Sequence, residues 1–215
     1  MKDFRRLIFV ALTSGALAGI FWFTLQYFTI VPLIAAAETY EAAHHDHQAE
    51  GAPNQWQRTS LTAIATVLTS VGYASILFGF TSLLARRMDA RRGALWGLSA
   101  FVCFGLAPAL GLPPQPPGVA VADLVDRQIW WTATALATAA GLYLIFGVSR
   151  SWTLKLCGIL CLALPHIIGA PVAAGESLVP AALIRQFITA SLIAAGLFWL
   201  TLGLIGGTIY NRHLR

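Results

Sequence analysis

Charge is scarce in this chain. Of its 215 residues 11% are charged against 57% hydrophobic, and mean hydropathy is +0.70. Such a chain prefers lipid to water, which excludes an ordinary soluble enzyme. Cysteine is nearly absent as well. Cys103, Cys157 and Cys161 form no CxxC, so no zinc knuckle, redox pair or disulfide framework arises, and all three read as packing residues within apolar runs. The alternative for Cys157 and Cys161, four apart on one helix face, is a soft ligand pair. No GxxxxGK[ST] phosphate loop occurs, so the chain does not hydrolyse ATP by that route, and transport would draw on an ion gradient, the membrane potential or a partner. Only His166 is placed for burial as an axial ligand, which disfavours a multi-haem carrier. No permanently bound cofactor is expected.

What is present is a series of apolar windows near the ~20 residues that match a ~30 Å hydrocarbon layer. Six can be counted, at about 7–34, 59–84, 94–112, 129–148, 154–174 and 184–208. The fifth contains Lys155, Pro165, His166 and Pro171, so a broken or partly re-entrant segment, and hence five spans, stays open.

Lysine and arginine gather on the cytoplasmic side of membrane proteins. With the N-terminus inside, eleven of the fourteen basic residues fall inside, and only Arg58, Arg127 and Arg185 lie outside. Seven of the nine acids lie outside, leaving Asp3 and Asp89 within. The net charge of +5 and pI near 9.5 therefore report membrane sorting and lipid headgroup contact, with no nucleic-acid partner implied. The segment after MKDFRR is expected to be a retained helix. A cleaved signal ending at Ala35-Ala36-Ala37 is the alternative, but the apolar run from Leu7 beyond Pro32 exceeds a signal core, and Gly15 and Gly19 stand at helix-packing spacing.

A shift of 58 residues aligns Cys103 with Cys161, Leu106 with Leu164, Gly111 with Gly169, Pro113 with Pro171 and Arg127-Gln128 with Arg185-Gln186. This suggests two copies of one outward hairpin, in which Arg-Gln opens the descending helix. A third copy is suggested by Arg58, fourteen residues before Gly72 as Arg127 is before Gly141. Convergent hydropathy is the competing explanation. The three outer arginines would either snorkel to the headgroups or pair with Asp126, Glu176 or Glu41 around an outer vestibule.

The chemistry concentrates at 35–58. Three of five histidines, His44, His45 and His47, follow Glu38 and Glu41 there. If helix persists through 35–47, Glu38, Glu41 and His45 share one face at i, i+3 and i+7, with His44 three residues after Glu41. Imidazole with carboxylate suits borderline divalent metals, and the spacing suggests capture in place of a closed cage. A solvated loop is the plain alternative. His166, after Pro165 in the fifth window, is a second candidate ligand, since a titratable group at membrane depth is costly. It could equally hydrogen-bond a threonine of a neighbouring helix. Gln26 and threonines 62, 66, 69, 132, 134, 138 and 189 would line a polar interior or bond back to their own helices.

The run VPLIAAAETYE, the His-rich segment after it, GLPPQPPG at 111–118 and DRQIWWTATALATAAGL at 126–142 resemble the CbtA family of cobalt transporter subunits over nearly the whole chain. The chain departs from that pattern at Gln115, where a glutamate is usual. The resemblance implies cobalt uptake for cobalamin synthesis beside a small, single-span, His-containing partner called CbtB.

The expectation is an all-α polytopic protein of about six transmembrane helices, or five, arranged as three outward-facing hairpins. It forms a single integral membrane domain over 1–215 in a bacterial inner membrane, with the N-terminus cytoplasmic. It would act as a permease subunit for divalent cobalt, with nickel as the alternative ion and Co²⁺ as cargo. The metal residues expected are Glu38, Glu41, His44, His45, His47 and His166. The alternative is a non-transport scaffold or metal-binding assembly subunit.

Overall fold

A computed structural model of the chain describes residues 2–42, 54–84, 88–148, 151–175 and 177–213, and every regular element among them is helical. Apolar runs leave a backbone no partner in lipid but itself, and helices satisfy it locally. Helix α1 (Lys2–Thr29) is followed by α2 (Val31–Ala42), with Ile30 between them. Pro32 explains the interruption: it has no N–H to offer the carbonyl of Phe28, whereas the Ile30 N–H still reaches the Gln26 carbonyl at 2.8 Å.

Next come α3 (Gln55–Leu84) and α4 (Ala90–Phe101). The latter runs on through a π-helical turn (Val102–Leu106) into the short α5 (Ala107–Ala109). The wide turn lets the Ala107 N–H reach the Val102 carbonyl, just ahead of Pro108, which cannot donate. Then follow α6 (Leu124–Leu142) with a second π turn (Tyr143–Gly147), α7 (Trp152–Ile168) and α8 (Ala181–His213). Asn54 caps α3 through Oδ1, which accepts from the Gln57 N–H at 2.7 Å. Asp123 caps α6, its Oδ1 accepting from the N–H groups of Val125 and Asp126.

Five helices are long and apolar enough to cross a membrane: Phe4–Thr29, Gln55–Leu84, Ala90–Ala109, Leu124–Gly147 and Ala181–Arg212. The protein is thus an all-α polytopic membrane protein. The fifth window of the sequence forms α7, whose 17 residues extend about 25 Å at 1.5 Å per residue. It is shorter than the other five because Gly169 ends it at φ +89° and non-helical backbone follows.

The helices group into two compact units, one comprising Met1–Pro32, Ala42–Leu98 and Ile193–Arg215, the other Leu33–Glu41 and Ser99–Leu192. In the first, α1 packs on α3 where Gly15 and Gly19 remove side chains: a Cβ on Gly15 would stand 2.6 Å from the Val71 Cα. The sequence spacing of these two glycines is thereby accounted for. A second seam joins α4 to α8, with Gly93 against Gly203 and Gly97 against the Trp199 backbone. Phe198 fills the interior, stacked on Trp22 at 4.4 Å and beside Tyr73 at 6.1 Å.

In the second unit α6 packs on α7. Gly141 faces Gly158 there, so the two backbones approach closely. The pattern of burial is that of a lipid-facing protein. Ser14, Ser70, Thr134 and Thr138 are fully buried while Leu68, Ile76, Leu83 and Leu136 face outward.

Candidate functional site

Glu38 and Glu41 lie in the last two turns of α2, both half-buried. Helix therefore does continue beyond Pro32 to carry this carboxylate pair, as the spacing required. Glu41 packs against Gly118: a Cβ built there would stand 3.6 Å from the Glu41 Cβ and 3.1 Å from a Val179 methyl. Gly118 turns the chain at φ +77°, a conformation open to glycine, and its carbonyl accepts from the Leu178 N–H at 3.1 Å. Three segments distant in sequence, ending near Glu41, Gly118 and Val179, thus converge. His44, His45 and His47 lie outside the described residues, as does Glu176.

His166 occupies the last turn of α7 and is half-buried. Pro165 therefore withholds its N–H from the Cys161 carbonyl in the last turn of α7, and not in the middle of a long span. The imidazole meets the Trp130 ring edge-on, centroids 5.9 Å apart at 70°. Trp130 in turn donates its indole N–H to the Pro165 carbonyl at 3.3 Å, tying α6 to α7. Among the described residues no three His, Cys, Asp or Glu side chains come together as a metal group. Cys103 is buried, Cys157 is exposed and Cys161 is intermediate, all as free thiols.

The polar residues of the spans mostly turn inward on their own helices. Thr62, Thr134 and Thr189 donate to the carbonyls of Arg58, Trp130 and Arg185 four residues back. Thr138 is the exception: its hydroxyl is buried with no partner among the described residues. The three arginines of the suggested repeat, Arg58, Arg127 and Arg185, each stand in the opening turns of α3, α6 and α8. The match of Gly72 with Gly141 goes no deeper than sequence, since Gly141 abuts Gly158 and Gly72 has nothing within 4 Å.

A pocket of about 920 Å³, not foreseen from the sequence, opens beside the start of α6. The repeat-related Pro113 and Pro171 both line it, as do Arg127 and Trp131. The sequence signal for it was the pairing of Pro-rich turns in the 58-residue shift. What single-sequence reading lacks is the fact that both turns face one cavity.

The family model described as CbtA, probable cobalt transporter subunit, matches residues 4–211. No curated protein and no solved structure matches the chain.

Proposed function

The chain belongs to the CbtA family of probable cobalt transporter subunits, and from that premise we propose that it is the permease subunit for uptake of divalent cobalt, and of nickel in the same site chemistry. It sits in a bacterial inner membrane with its N-terminus cytoplasmic, among lipids and beside a small single-span CbtB-like subunit. It performs no covalent chemistry. Metal is captured at the end of α2 by Glu38 and Glu41 with His44, His45 and His47, and His166 is a further ligand on its route.

The observation that carries this reading is the packing of Glu41 on the Gly118 turn. The backbone and Cβ of Glu41 stand where three segments converge, a few residues before the three histidines. Glu38 lies one turn earlier on the same helix, so both carboxylates share a face. Oxygen and imidazole donors of that kind hold cobalt and nickel without strong discrimination, the order of affinity being set by the metals.

Radiolabelled cobalt uptake tests it, in cells producing this chain with and without the small partner. Uptake should need both proteins and fall sharply when His44, His45 and His47 are replaced together with Ala. His166→Ala should lower uptake per folded molecule, and His166→Gln, which keeps hydrogen-bonding capacity, should not restore it. Metal binding without any uptake would instead assign the chain to a non-transport scaffold or metal-binding assembly subunit.

A further inference from the structure

The pocket beside α6 has an electrostatic character at odds with a cation path. Arg127 is the one charged residue among its described walls, which carry no carboxylate. The Arg127 Nε is buried and has no hydrogen-bond acceptor among the described residues. Guanidinium keeps its charge at any pH a cell meets, so an unanswered buried N–H of this kind calls for an anion. Its position in the first turn of α6 adds the positive end of the helix dipole. Two carboxylates precede Arg127 on the cap side and neither lines the pocket: Asp126, adjacent in the chain, and Asp123, whose Oδ1 accepts from the N–H groups of Val125 and Asp126.

Size and lining narrow the class of anion. About 920 Å³ is far more than a halide needs. Gln128 and Thr132 stand four residues apart on α6 and also line the pocket, adding amide and hydroxyl donors beside the guanidinium fork. Val121, Leu124 and Val172, all exposed, form an apolar rim. Trp130 and Trp131 lie within two turns of the end of a span-length helix, where aromatic residues mark the headgroup level.

We propose that this pocket is an oxyanion site that takes a phosphate group through Arg127, supported by Gln128 and Thr132, the phosphate being carried on a phospholipid headgroup or free. The site is separate from the cobalt ligands, since a guanidinium repels a bare divalent cation.

Native mass spectrometry of the detergent-purified full chain tests this with three probes: phosphatidylglycerol, the matched diacylglycerol that lacks phosphate, and inorganic phosphate. Phosphatidylglycerol should be retained about tenfold better than diacylglycerol, the factor expected for one charge-assisted contact. Arg127→Ala should remove that preference, while Arg185→Ala, at the start of α8 and outside the pocket, should keep it. Inorganic phosphate that binds with the same Arg127 dependence identifies the free ion as the source; retention of the lipid alone identifies the headgroup. Val121→Trp leaves the charge in place and fills the cavity, so it should weaken retention even if Arg127→Ala fails to fold. Wild-type retention of both phosphate probes in Arg127→Ala, or in a folded Val121→Trp protein, would overturn the proposal.

Discussion

Glu41 and Gly118 are in contact, 77 positions apart in the chain, because the glycine has no side chain to hold the end of α2 away. The same glycine accepts a hydrogen bond from Leu178. The segments following α2, preceding α6 and preceding α8 therefore meet at one end of their helices. Reporter fusions should accordingly place residues 38–57, 113–126 and 175–183 on one side of the membrane, the outside, and 88–92 on the other. A reporter in 113–126 reading opposite to one in 38–57 would contradict that contact.

Helix contact in the first unit rests on missing side chains. Gly15→Val should lower the melting temperature of the purified protein, since its Cβ would press on the Val71 backbone and overpacking costs about 1–3 kcal/mol. Gly79→Ala, with nothing within 4 Å, should be neutral or raise it by up to about 1 kcal/mol through helix propensity. Equal melting of the two variants would show that the α1–α3 seam is looser than its geometry.

The α6–α7 pair holds both satisfied and unsatisfied buried polar groups. Trp130→Phe removes the indole N–H that reaches Pro165 and should cost about 0.5–1.5 kcal/mol. Thr138→Val keeps the shape and deletes a buried hydroxyl without a partner, so it should stabilise, by about 1 kcal/mol. Thermal melts in one detergent measure both, and a destabilised Thr138→Val would mean that the hydroxyl has a partner such as water.

Cobalt binding should weaken as pH falls through about 6.5, the ordinary imidazole value, because only neutral imidazole ligates. The sign follows from competition: a proton on the ring displaces the metal, whereas carboxylates stay ionised down to about pH 4.3. Calorimetric titration of wild type and of the His44, His45, His47 triple Ala variant separates the two steps. The triple variant should lose the step at about pH 6.5. Persistence of that step would move the metal away from the 44–47 cluster.

Much of this architecture was determined by the sequence. Apolar length and absent charge dictate helices in lipid, and the five long runs became span-length helices, two of them through a π turn near one end. Gly15 and Gly19 announced a packing face by spacing alone. The carboxylate pair of α2 was likewise legible, since i and i+3 share a face wherever helix forms. The length of α7 was not, because its apolar window runs to 174 while Gly169 and the non-helical backbone after it stop the helix at Ile168. Nor could spacing show that His166 would stand edge-on to Trp130, or that Thr138 would be buried without a partner. The pocket required tertiary structure altogether: Pro113, Arg127 and Pro171 lie in three separate stretches, and only the packing of α6 against α7 brings their walls around one cavity. Local pattern fixes which residues are helical and which face they share, whereas a guanidinium Nε buried without an acceptor among the described residues depends on contacts between segments that no local pattern records.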